Sequence, residues 1–263
     1  VIEALLWDVD GTLAETERDG HRLAFNDAFA ALGLSWQWSV ARYGELLRIT
    51  GGRERILSDM PTHPDAPATQ SGRETLAREL HGRKNLAYAR RLAEGAITLR
   101  PGVPELLHEA AARGLRMAIV TTTSRANVEA LLRHTLGAGS QGLFEAAICG
   151  EDVARKKPDP EAYGSALRRL GIDPPSTLAL EDSPAGVAAA RAADVPVVVT
   201  RSAYFAHDTV EGALAVGPGL HTRRGWQPAL PAGDAEDTRP DSRVTLDDLL
   251  GWHARAGTVS RSD

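Results

Sequence analysis

The chain has 263 residues, 43% of them hydrophobic, enough apolar mass for one large domain or two smaller ones, which excludes a disordered or collagen-like chain. Thirty Lys and Arg against 35 Asp and Glu leave a net charge of -5, so neither a nucleic-acid backbone nor an anionic membrane is an expected partner. The single cysteine, Cys149, cannot form an intramolecular disulfide and no Cys/His zinc framework exists, which fits a reducing, cytoplasmic compartment.

Residues 1–8 lack a basic segment and meet an acid at Glu3, so no signal peptide is expected, and no apolar run approaches the roughly 20 residues that cross a bilayer. Residues 2–7 read as a strand that stops at Asp8-Val9-Asp10-Gly11-Thr12. From 15 to 94 the pattern is helical. Leu23, Phe25, Ala28, Phe29 and Leu32 recur near a 3.6 period that Gly33 ends; Leu76, Leu80, Leu86 and Leu92 mark a later helix, and a Pro-rich loop over 60–72 lies between.

After Arg100-Pro101-Gly102, short apolar runs at 116–120, 146–149, 178–180 and 195–199 alternate with helical stretches, the rhythm of a parallel sheet. Asp159-Pro160 starts one helix that Gly171 closes, and Ser183-Pro184 starts the next. The expected fold class is α/β: a doubly wound, Rossmann-like parallel sheet with a small all-helical cap. Residues 1–14 and 95–205 form the core, 15–94 the cap, and 206–263 an extension, loop over 228–241 and one docking helix around 246–252. Trp36 and Trp38 are expected to pack a helix turn, Cys149 to be a buried strand residue, and the Arg90-Arg91 and Arg223-Arg224 pairs to be solvated.

Side chains two apart in a strand point the same way, so Asp8 and Asp10 can share the crevice at the carboxyl end of the first strand, where ligands bind in such sheets. Gly11 and Thr12 then supply a tight turn with free donors. Two acids alone leave a plain acidic loop equally open. Later strand exits add Thr121-Thr122-Thr123-Ser124 before a helix starting near Arg125, a favourable place for an oxyanion; Lys156-Lys157-Pro158, a cation; and Glu181-Asp182-Ser183, hard oxygens suited to magnesium. Each alone has an ordinary structural reading. Together, in this order, they point to phosphoryl transfer.

Asp8-Val9-Asp10-Gly11-Thr12-Leu13, Thr121, Lys157-Pro158 and Glu181-Asp182-Ser183-Pro184-Ala185-Gly186 resemble the four motifs of the haloacid dehalogenase (HAD) superfamily. The match spans about residues 1–205. The helical insert is similar to the cap of the subgroup holding β-phosphoglucomutase and phosphoglycolate phosphatase. Residues 11–17, Thr50-Gly51-Gly52-Arg53-Glu54-Arg55 and Arg100-Pro101-Gly102 resemble the CbbY-type phosphatases that remove phosphate from xylulose-1,5-bisphosphate. Trp7 stands where Phe is usual, Gly20 interrupts the first cap helix, and the chain after about 206 carries no recognised motif.

The resemblance implies that Asp8 attacks phosphorus and becomes an aspartyl-phosphate while Asp10 serves as general acid and then base. Mg²⁺ on Asp8, Asp182 and the Asp10 carbonyl, with Glu181 a ligand through water or a support, would keep Asp8 anionic and leave the Asp10 side chain free to hold a proton. Thr121, the following amide and Lys157 would hold the phosphoryl oxygens, with Thr122, Thr123 and Ser124 beside them. Asp10 also excludes the dehalogenase and phosphonatase branches, which lack it. Cap candidates are Arg53, Arg55, Lys84 and the amides of Gly51 and Gly52 for the uncleaved phosphate, Glu17 and His21 for the sugar, and Thr50 and Glu54 beside them; in the plainer reading Arg55 is a surface salt-bridge residue and His21 a polar position on the first cap helix. The expected protein is a monomeric Mg²⁺-dependent phosphatase of a small phosphorylated sugar. A phosphosugar mutase, a phosphatase of another metabolite such as phosphoglycolate, and a non-catalytic partner-binding protein remain open.

Overall fold

The computed structural model describes residues 2–137, 142–229 and 242–259. Six parallel strands form one sheet: β1 (Ala4–Trp7), β2 (Arg116–Val120), β3 (Ala146–Ile148), β4 (Thr177–Glu181), β5 (Val197–Thr200) and β6 (Ala215–Gly217), in the order β3-β2-β1-β4-β5-β6. The order reverses beside β1, which pairs with β2 and β4, so its carboxyl end opens at the switch point where α/β sheets bind ligands.

The strands are apolar on both faces because helices cover both. Leu5, Trp7, Met117, Ile119, Leu178, Leu180 and Val198 point into one cluster with helices α5 (Val103–Ala112) and α6 (Arg125–Leu136). Their neighbours Ala4, Leu6, Ala118, Val120, Ala179, Val197 and Val199 point into the other, under α7 (Glu161–Leu170) and α8 (Pro184–Ala192). Trp7 is fully buried in the first layer.

Between β1 and α5 the chain forms a π-helical turn (Glu17–His21), α1 (Arg22–Ala31), α2 (Val40–Leu46), α3 (Gly52–Asp59) and the long α4 (Gln70–Ala93). These helices enclose their own aromatic core of Phe25, Phe29, Trp36, Trp38 and Tyr43. Trp38 donates its indole N–H to Asp59 at 2.5 Å, so its polar edge is satisfied inside that core. The expected packing role of both tryptophans holds.

Beyond residue 205 the structure adds elements the pattern does not announce. Strand β6, three residues followed by Pro218 and Gly219, is too short for a period-2 signal, yet it extends the sheet beyond β5. Trp226 lies on Gly217, where a Cβ would sit 2.1 Å from the ring, and its centroid is 4.6 Å from that of Trp252. Helix α9 (Leu246–Val259) buries Leu246, Leu249 and Trp252 in the main core beside α5. Most of the 228–241 loop lies outside the described residues. Arg223 is not solvated: it pairs with the buried Asp248 at 3.0 Å, and Arg91 likewise pairs with Asp27 at 2.7 Å. No helix among the described residues is long and apolar enough to cross a membrane.

Candidate active site

Asp8 still belongs to the sheet, its amide donating to Leu180 O at 3.1 Å, and only 7% of its surface is exposed. The chain then turns sharply, with the amides of Thr12, Leu13 and Ala14 all donating to Val9 O. Gly11 adopts a φ of +85°, and a Cβ there would lie 2.1 Å from Asp182 Oδ2. A glycine is therefore required twice, by its left-handed backbone and by the approach of that carboxylate.

Asp10 points across the turn to the helical insert. It accepts from Thr16 Oγ1 at 2.5 Å and lies 2.9 Å from His21 Nε2. The π-turn aims that imidazole: the His21 amide donates back five residues to Thr16 O, and the ring stacks on Tyr88 at 4.1 Å. Gly20, which interrupts the helix pattern, faces Ile97 at 2.6 Å from where its Cβ would be. The glycine lets the turn pack.

Lys157 is the hub of the opposite wall. Its ammonium donates to Asp8 Oδ1 at 2.8 Å, Glu181 Oε1 at 2.6 Å and Val120 O at 2.7 Å, while Tyr163 donates to the same Glu181 oxygen at 2.5 Å. Glu181 is thus the counter-ion of Lys157 as well as a member of the acidic cluster. Two carboxylates hold the Lys157 ammonium above its ordinary range against its burial.

Asp8, Glu181 and Asp182 bring carboxylate oxygens within 4.8 Å of one another, and no other such acidic or imidazole cluster occurs among the described residues. Burial pushes the Asp8 carboxyl up to about 8, with Glu181 and Asp10 adding to the effect and Lys157 opposing it. Asp182 is raised as well, by burial and by Asp8, although Ser202 hydrogen-bonds it. One buried oxygen of Glu181, Oε2, has no partner. Hard oxygen donors short of positive charge are what a divalent cation such as Mg²⁺ fits.

Burial also raises Asp10, but His21 and Thr16 outweigh it and bring the carboxyl down to about 2. Asp8 is thus crowded by acids, whereas Asp10 is paired with an imidazole and a hydroxyl.

Thr121 is buried beside Asp8 and accepts from the Thr123 amide at 3.2 Å; Thr122, Thr123 and Ser124 face the neighbouring cavity. At the start of α6 the Arg125 amide donates to Glu151 Oε2 at 3.1 Å.

Two cavities meet over these residues. The smaller, about 200 Å³, is lined by Asp8, Thr121, Lys157 and Asp182. The larger, about 620 Å³, extends beneath the helical insert past Gly51, Gly52, His81 and Lys84, and both share Asp10, Glu17, Thr50 and Arg55. Glu17 accepts from Tyr43 at 2.5 Å, Thr50 donates to Lys157 O at 2.6 Å, and Glu54 pairs with Lys156 at 2.7 Å. Arg53 is exposed at the rim, whereas Lys84 is 3% exposed. Arg55 is buried, donating to Leu46 O and Tyr43 Oη at 3.1 and 2.9 Å, so the surface reading is corrected. Thr16, Tyr43 and His81, 6, 33 and 71 residues after Asp10, join the site without any sequence signal; only the folding of the insert brings them there.

A family profile for haloacid dehalogenase-like hydrolases matches residues 2–194. Protein CbbY of Rhodobacter capsulatus is 46% identical over 81% of this chain and 91% of its own length. The plasmid-borne CbbY of Cupriavidus necator is 44% identical over 96% and 97%. The crystal structure of an Asp-to-Asn mutant of CbbY from Rhodobacter sphaeroides in complex with xylulose-1,5-bisphosphate superposes with a TM-score of 0.75 at 43% identity, covering 81% of this chain and 92% of that one. With the motif residues gathered at the switch point of a parallel sheet, the chain belongs to the haloacid dehalogenase-like hydrolases.

Proposed function

We propose that this phosphatase hydrolyses a sugar bisphosphate, xylulose-1,5-bisphosphate, with Mg²⁺ as cofactor and Asp8 as nucleophile, as a monomer in the cytoplasm. The observation that carries the reading is the pair of joined cavities: an acidic, lysine-backed pocket large enough for one phosphoryl group opens into a larger one holding Lys84, Arg55 and Arg53. A bisphosphate needs one anion site for the reacting group and another for the group that stays. The complex of the Rhodobacter sphaeroides relative with that sugar supports the same choice.

In this reading an Asp8 carboxylate oxygen forms the new bond to phosphorus while the bond from phosphorus to the sugar oxygen breaks. The leaving oxygen takes a proton from Asp10. Water then attacks the aspartyl-phosphate, Asp10 receives its proton, and phosphate departs. His21 Nε2 and Thr16 Oγ1, 2.9 and 2.5 Å from the Asp10 carboxylate, hold that side chain in place. Mg²⁺ held by Asp8, Asp182 and the Asp10 carbonyl would supply the positive charge that keeps Asp8 ionised and offsets charge on the phosphoryl oxygens. Lys157 and Thr121 face the same oxygens, and Glu181 keeps Lys157 in place. The cap of residues 15–94 closes over the substrate and excludes bulk water.

The test is phosphate release from xylulose-1,5-bisphosphate, ribulose-1,5-bisphosphate, phosphoglycolate and glucose phosphates, with Mg²⁺ and with EDTA. Metal-dependent release concentrated on the xylulose compound is expected. Release concentrated elsewhere removes the substrate assignment, and phosphate moving between positions of glucose with little free phosphate makes the enzyme a mutase.

A further inference from the structure

Arg100 carries a buried guanidinium, 9% exposed, at the underside of the Asp8–Thr12 turn. Its stem is anchored by its own backbone, whose amide donates to Leu13 O at 2.8 Å. Its Nη1 donates to Gly11 O and, at 3.1 Å each, to Thr200 O and Oγ1; Nη2 donates to Arg201 O at 2.6 Å and Pro218 O at 3.3 Å. Glu15 is the nearest carboxylate, 3.6 Å from Nε and partly exposed, so the cation is held chiefly by carbonyl dipoles from three separate stretches of chain.

Each of those stretches has a catalytic neighbour. Gly11 follows Asp10 and lies against Asp182. Thr200 and Arg201 lead into Ser202, which hydrogen-bonds Asp182. Pro218 and Gly219 follow β6, and the chain there is packed hard on the Arg100-Pro101-Gly102 turn: a Cβ on Gly102 would lie 2.5 Å from the Leu220 carbonyl carbon, and one on Gly219 3.3 Å from the Arg100 guanidinium.

We propose that Arg100 is a positioning residue: its planar fork ties the turn that carries Asp10, the loop that braces Asp182 and the segment after β6 into one unit, fixing the two acids relative to each other. Only a guanidinium can do this, since lysine offers three donors from one point and cannot reach carbonyls on both sides of a plane. The chain beyond residue 205 thereby has a part in the reaction, delivered through Pro218. This rests on the phosphatase reading above.

The test compares full-length wild type with Arg100→Lys and Arg100→Gln. Steady-state kinetics on the best ester of the panel and the Mg²⁺ concentration for half-activity are read together with hydrogen exchange of the 8–14 segment in the metal-free protein. Arg100→Lys keeps stem and charge and is the variant chosen to fold. The expected result is a kcat lower by about 10- to 100-fold with KM little changed, a raised half-saturating Mg²⁺ concentration, faster exchange over 8–14, and a larger effect for Gln than for Lys. Wild-type kcat and exchange in both variants, with a lowered melting temperature alone, would overturn the proposal by making Arg100 merely structural. If wild type releases no phosphate from any ester but exchange quickens in the variants, the phosphatase reading fails while the positioning role stands.

Discussion

Lys84 is a buried charge carried at a cost in stability. Its ammonium is buried, lies 5.1 Å from the centre of the Phe25 ring and 5.3 Å from that of Tyr88, and is pushed down to about 8 by burial against the pull of Asp10 and Glu17. The folded value lies below the ordinary 10.5, so the unfolded chain binds more protons between those limits. Stability contributed by this residue therefore rises with pH from about 8 to 10.5, and below 8 the charge is carried at full penalty. Lys84→Met is expected to stabilise the free protein at pH 7 by about 1–3 kcal/mol, a gain that fades as the pH rises from about 8 to 10.5. The same variant should raise KM for the bisphosphate. Thermal melts at pH 7 and 10.5 check the first statement; equal melting temperatures at pH 7 would contradict it. Lys157 is the opposite case, a buried cation held by two carboxylates, and its removal would strand both.

At the scale of elements, the turn after β1 depends on one backbone conformation. Gly11→Ala strains a left-handed residue and drives a methyl into the Asp182 carboxylate. Phosphate release at saturating Mg²⁺ is expected to fall by about 100-fold with the far-ultraviolet spectrum unchanged, and wild-type kcat would refute the close-approach argument. Much of this site is legible in the sequence because its parts stand at strand exits, where an apolar run stops on Asp8, Thr121 or Glu181-Asp182 and the position alone implies a crevice. Lys157 is legible by its place before a helix. The partners of Arg55 and Arg100 are not, because packing sets them: Arg100 reaches carbonyls 101 and 118 residues away. The pairing of Asp10 with Thr16 and His21 is illegible for the same reason, since it follows from which neighbours the fold supplies. Strand β6 is missed because three residues before Pro218 carry no period.

At the scale of the molecule, the insert lies shut on the sheet. Lys156 pairs with Glu54, Thr50 donates to Lys157 O, Arg48 pairs with Asp208, and the Tyr43 and Tyr204 rings meet edge to face at 5.9 Å. The other end of the sheet is completed by β6, Trp226 and α9, so the chain beyond 205 belongs to the core rather than hanging from it. Ending the chain at residue 206 removes Leu220, Trp226, Val244, Leu246, Leu249 and Trp252 from that core. The truncated protein is expected to aggregate or to melt about 10 °C lower or more, measured by calorimetry; an unchanged melting temperature would make the extension accessory. In the proposed mechanism Asp8 carries the phosphoryl group between sugar and water. Acid quenching during turnover of xylulose-1,5-bisphosphate, followed by peptide mass spectrometry, tests this step. A phosphorylated peptide spanning Asp8 is expected, absent from Asp8→Asn, whose turnover falls by about a thousandfold or more with its fold intact. Undiminished phosphate release by Asp8→Asn, or release by wild type with the phosphoryl group trapped elsewhere, would contradict it.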